Sequence, residues 1–243
     1  MKSIHRILCK KLFFSHRFYL CLLPIFGIGV LYCYKYCRIL NQAKGQFSFI
    51  VYHGIFQNVV VMFVIIPSFL VIIGLISDDM DKCEVLLKYK DVREWWADKN
   101  WGTCFFSIIY IAVINIIVIG VILFSGHSSQ INFSFLNYMF FGCLFQLFGF
   151  LILGNVYSII SLETQRPYAG FIITYVIFAM MNLVKNVLES LLSFDFATLE
   201  EYMFLMLDNI SVLHLIWLVF IYILIYKLGS AISKDKDIYW GVQ

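Results

Sequence analysis

The sequence predicts an all-α membrane protein. It would have six transmembrane helices, an interfacial helix ahead of the first, a charged helix in the first inner loop and a helical excursion outside before the last span. Three observations predict it. Of 243 residues, 62% are hydrophobic and only 14% charged, against roughly half and about a quarter in soluble domains. Six stretches reach the ~20 apolar residues that a bilayer crossing requires. Lysine and arginine are divided unequally between the loops that those stretches define.

Taken in order, residues 1–16 open the chain. Ile4, Ile7, Leu8, Lys11 and Leu12 recur at helical spacing with Lys2, Arg6 and Lys10 around them, the pattern of a helix lying among lipid headgroups. The expected spans follow at Phe18–Tyr36, Phe49–Ile76, Cys104–Phe124, Phe133–Ser161, Ala169–Val187 and Ile210–Leu228. The first runs into Tyr32-Cys33-Tyr34-Lys35-Tyr36 without a small-residue cleavage site, so it is expected to stay as a helix. Pro67 falls inside the second, where it should kink the helix. No Pro-, Ser- or Gly-rich linker divides the chain, which reads as one transmembrane domain over 1–243.

With the N-terminus inside, fourteen of the eighteen basic residues fall on the inner side; only Lys35, Arg38, Lys44 and Lys185 lie outside. Both termini are therefore expected in the cytoplasm. The net charge of +3 is a topology signal and gives no reason to expect nucleic acid. Seven cysteines, an odd number, are scattered and lie mostly in spans or on the inner side, which argues against a disulfide framework.

The loop over 78–101 is the one long polar interruption, holding seven of the fifteen acidic groups. Val85, Leu86, Tyr89, Val92 and Trp96 nevertheless keep helical spacing. Asp78, Asp79 and Asp81 precede that helix, where acids favour the positive dipole end. Glu84 and Lys88 stand at i, i+4 in the favourable order. Trp95, Trp96 and Trp101 are placed at the membrane interface as the chain re-enters it. Leu86, Leu87, Tyr89 and Val92 would serve as apolar anchors in a partner's groove. On the outer side, 189–209 carries a capping box, Thr198 with Glu201. An apolar stripe of Phe196, Leu199, Met203, Met206 and Leu207 accompanies it, fitting a surface or partly re-entrant helix pair.

Catalytic chemistry is missing from the pattern. Glu200-Glu201 lacks the arginine of a glutamate-pair membrane protease, and neither Gly-x-Ser-x-Gly nor His-Glu-x-x-His occurs. His53 and Gln57 form a polar pair at i, i+4. Asn58, Asn115, Gln146, Asn155 and Asn182 are further intramembrane amides. Such groups mostly bond across helices at about 0.6 kcal/mol each. The competing reading is a substrate path lined by His53, Gln57, Asn58, Asn115, Gln146 and Asn155. No expected span carries a central Asp or Glu, which argues against proton coupling. No Gly-x-x-x-x-Gly-Lys-[Ser/Thr] loop exists for ATP.

This layout resembles the type 2 permeases of ABC exporters. The segment LLKYKDVREWWADKNW is most similar to the short permeases of bacteriocin and lantibiotic immunity transporters, through Leu86, Leu87, Arg93, Trp95, Trp96 and Lys99. The acidity of this loop departs from that pattern. The resemblance implies a bacterial plasma-membrane subunit that binds no cofactor itself. Two permeases, identical or related, would bind a cytoplasmic ATPase dimer that carries ATP and Mg. Glu84, Leu86, Leu87, Lys88, Tyr89, Val92, Arg93, Trp95 and Trp96 would form the coupling helix. The cargo would be an amphipathic peptide or lipid-like molecule. Two other readings fit the residues: a non-catalytic scaffold or peptide sensor signalling through 78–101, and a substrate-capture subunit of a vitamin importer.

Overall fold

The computed structural model describes residues 15–38, 47–89, 91–192, 198–205 and 211–235. Among the described residues every regular element is helical. The α-helices of four or more residues are α1 (His16–Arg38), α2 (Phe47–Ile55), α3 (Ile66–Met80), α4 (Cys83–Leu86), α5 (Val92–Phe124), α6 (Phe133–Thr164), α7 (Pro167–Leu192), α8 (Leu199–Met203) and α9 (Val212–Asp235). Five segments are long and apolar enough to cross a bilayer: His16–Tyr36, Phe47–Met80, Val92–Phe124, Phe133–Thr164 and Val212–Lys234. The chain is thus a helical multi-pass membrane protein. The sixth expected span, Ala169–Val187, falls on α7, whose apolar stretch Pro167–Met181 is shorter. The interfacial helix expected over 1–16 lies outside the described residues, apart from its last two.

Helix ends follow local chemistry. Asn132 accepts a hydrogen bond from Phe135 N at 2.9 Å and starts α6. That helix stops where Gln165 turns left-handed (φ 55°), and Pro167 opens α7, where a missing N–H costs nothing. α6 is the central helix, packed against α5, α7, α8 and α9.

The second span is discontinuous. α2 ends at Ile55, Gln57 is extended (φ −60°, ψ 143°), and the helix resumes at Asn58–Val60. A π-helical turn over Val61–Ile65 then leads into α3. The sequence leads one to expect a kink at Pro67. Instead Pro67 sits in the first turn of α3, and the irregularity is absorbed by the preceding π turn. Tyr110 of α5 donates to the Ile65 carbonyl at 2.6 Å.

α3 and α5 run antiparallel in steady register. Trp95 Nε1 meets Met80 O at 3.2 Å, and fifteen residues further along each helix Tyr110 Oη meets Ile65 O. Continued to the break, that register sets Gln57 close to the level of Val118.

Candidate functional site

The inner loop is built differently from the single helix its periodicity predicts. α3 continues to Met80, α4 makes one turn, and tight bonds from Lys88 N to Val85 O and Tyr89 N to Leu86 O close it. Asp91 then caps a new helix by accepting from Arg93 N at 3.1 Å. Val92, Arg93, Trp95 and Trp96 therefore belong to the base of α5. An N-cap in the middle of the amphipathic pattern divides it, because capping stabilises a fresh start by about 1 kcal/mol.

That division sorts the expected coupling residues. Leu87 stands 81% exposed at the tip, with Lys88 and Arg93 exposed beside it. Leu86, Tyr89 and Val92 are half-buried. The Glu84 side chain lies outside the described residues. Trp95 and Trp96 are 2% and 1% exposed, so neither offers a surface to a partner or to lipid headgroups; Trp101 alone of the three faces outward. Their indoles bind inside the chain: Trp95 Nε1 donates to Met80 O and Trp96 Nε1 to Tyr226 O, both at 3.2 Å. The Trp96 ring lies where Gly229 leaves room; a Cβ there would meet it at 2.1 Å. Lys99, also buried, reaches both Asp81 oxygens at 2.9 Å and lies 4.9 Å from the Trp95 ring centroid. Burial and the carboxylates of Asp98 and Glu94 push the Tyr89 hydroxyl up, so it stays neutral.

Within the membrane the six candidate path residues fall into two groups. Asn115, Gln146 and Asn155 are buried. Asn115 Nδ2 donates to Gln146 Oε1 at 2.9 Å, and Gln146 Nε2 to Tyr52 Oη at 3.2 Å. Asn155 pairs with Asn100, which also accepts from Tyr222 at 3.1 Å. These amides tie spans together, the role that buried amides usually have. His53, Gln57 and Asn58 are exposed on the outside of the bundle at the break. His53 Nε2 lies 3.2 Å from Tyr138 Oη, and Gln57 Oε1 accepts from Tyr32 at 3.3 Å. The two groups do not line one channel.

The segment expected outside contributes Phe204 and Leu205, which sequence reasoning did not single out, beside Met203, which it did. The capping box is formed, Thr198 with Glu201. The other Glu201 oxygen accepts from Lys185 Nζ at 2.6 Å. α8 then carries Met203, Phe204 and Leu205 into the bundle, where all three are buried. Phe204 stacks on Phe56 at the break, ring centroids 4.7 Å apart. Met203 fills the space over Gly149, where a Cβ would sit 2.1 Å from its Cγ. Gly142 and Gly149, seven apart on one face of α6, were the available signal. Glu200 comes in with the wedge, at 1% exposure. Phe196, Met206 and Leu207 of the expected stripe lie outside the described residues. Comparisons with family models, curated proteins and solved structures found no match for this chain.

Proposed function

We propose that this chain is the membrane permease subunit of an ATP-driven exporter, moving an amphipathic peptide or lipid-like substrate from the membrane. Its ATPase is a separate cytoplasmic dimer. The observation that carries the reading is the exposed Leu87 tip, held by Trp95 and Trp96 to the inner ends of α3 and α9. A flexible loop would absorb a push. Buried indoles with hydrogen-bonded N–H groups pass it on to the spans. The docking surface is then Leu86, Leu87, Lys88, Tyr89, Val92 and Arg93. Trp95 and Trp96 act behind it as transmission.

In this reading α7 is the sixth crossing. Its 26 residues rise about 39 Å, more than the roughly 30 Å hydrocarbon core. Six crossings place both termini on the basic inner side, as the lysine and arginine distribution requires. The test is a mild-detergent pull-down from the native host. An ATPase subunit should copurify in stoichiometric amount, and Leu87→Glu should remove it while the permease still inserts. Absence of any ATPase, or retention of full binding and stimulation by Leu87→Glu, would defeat the assignment.

A further inference from the structure

The segment carrying α8 goes deeper than a surface excursion. α6 has 32 residues and is about 48 Å long, so it overshoots a hydrocarbon core of roughly 30 Å. Gly149 stands at its middle, and Met203 of α8 lies over that glycine. α8 therefore reaches mid-membrane, about 24 Å from the Phe133 end of α6, the end expected outside. α7 gives a second measure. Its Gly170 packs on Ser161 near the opposite end of α6, which sets Lys185 about 20 Å from the level of Phe133. α9 agrees, because its Leu218 packs with Phe145 and Ile152, on either side of Gly149.

At that depth three elements bring polar side chains together. Lys185 of α7 donates to Glu201 of α8 at 2.6 Å, and their side chains are 15% and 24% exposed. Tyr202 follows on the half-buried side of α8, its ring centroid 5.4 Å from that of His214 on α9. His214 Nδ1 in turn accepts from Ser211 N at 3.1 Å. The exposed neighbours of these residues on α7 and α9 are apolar: Met181, Val184, Leu213 and Ile216. α7 and α9 both pack along α6 without an extended contact between them. The polar groups thus lie in the gap that α8 enters.

A charged side chain in the middle of a bilayer faces the bundle interior or water, since hydrocarbon does not solvate it. The Lys185–Glu201 pair is not sealed inside the bundle. We propose that the gap between α7 and α9 is a water-filled cleft, open on the side expected to be outer and ending at this pair in mid-membrane. No expected span carries a central carboxylate; the segment between two spans delivers one to that depth. The cleft gives the charged end of an amphipathic molecule a route out of mid-membrane that avoids hydrocarbon. It lies within one chain and needs no ATPase, so it stands or falls separately from the exporter reading.

The experiment measures thiol reaction rates in intact cells, in a background without the native cysteines. Tyr202→Cys and His214→Cys report on the cleft. Val184→Cys and Ile216→Cys, at positions 43% and 59% exposed, report on the lipid-facing sides of α7 and α9. A charged, membrane-impermeant methanethiosulfonate should modify the cleft pair many-fold faster than the lipid-facing pair, although the latter positions are the more exposed. Lys185→Met should then raise the rate of a cationic reagent relative to an anionic one at Tyr202→Cys several-fold, because Glu201 loses its cation. Protection of both cleft positions while Ser129→Cys reacts would overturn the proposal. So would equal rates at all four positions, which would place this level outside the hydrocarbon, or a charge preference indifferent to Lys185→Met.

Discussion

Gly229 shows what one residue does at the inner end of the bundle. Its missing side chain is the space that the Trp96 ring occupies, and the indole N–H is satisfied by Tyr226 O one turn away. An aromatic ring, unlike a methionine, cannot fold out of the way. Gly229→Ala should therefore cost about 1–3 kcal/mol, the usual penalty for overpacking, measured as denaturant stability in detergent. Trp96→Phe makes room and gives up one hydrogen bond of about 1 kcal/mol. In that background the alanine should cost markedly less. Equal costs in both would mean that the ring and the glycine are not in contact. Lys99 makes a second residue-scale point. It is 2% exposed with both Asp81 oxygens at 2.9 Å, so Asp81→Asn leaves a nearly buried ammonium facing a neutral amide. Loss of one partner of such a pair costs about 3–5 kcal/mol; Lys99→Met should restore part of it in the double variant.

The elements themselves were largely legible in the sequence. Long apolar runs fixed five membrane-length segments, and Thr198-x-x-Glu201 marked the start of α8 because a capping box is local chemistry. What was not legible depends on neighbours. The periodicity of Val85, Leu86, Tyr89, Val92 and Trp96 continues across Asp91, and only the cap and the pull of Trp95 and Trp96 into the bundle divide it into α4 and α5. Buried and path-lining amides look alike as letters; Asn115 and Gln146 differ from His53 and Asn58 only in which way their helices face. The depth of α8 was hidden for the same reason, since Gly142 and Gly149 become a groove only when Met203 and Leu205 lie in it. The wedge is held at its outer end by the Lys185–Glu201 pair. Lys185→Met should leave Glu201 without its cation and loosen α8. Protease added to spheroplasts should then cut within 198–205 several-fold faster than in the parent. An unchanged rate would show that Met203 and Phe204 hold the segment without the ion pair.

At the scale of the molecule, topology rests on α7. Three of the other long segments are joined by turns that reverse the chain: Ser125–Gln130 between α5 and α6, on the side expected to be outer, and the 83–91 loop between α3 and α5, on the side expected to be inner. If α7 crosses, Ser211 at the start of α9 is outside and the last span returns the C-terminus to the inner face. If α7 instead dips and returns, the five long segments leave the two termini on opposite sides, with Lys227 and Lys234 outside against the positive-inside rule. Single cysteines at Ser129, Gln165 and Ser211, in a background without the native thiols, separate the two. A membrane-impermeant maleimide added to intact cells should label Ser129→Cys and Ser211→Cys, and spare Gln165→Cys until the cells are permeabilised. Labelling at Ser129 with protection at both Gln165 and Ser211 would reduce the bundle to five crossings and remove the shared inner face. The Leu87 tip and the inner end of α9 could then no longer meet one cytoplasmic partner.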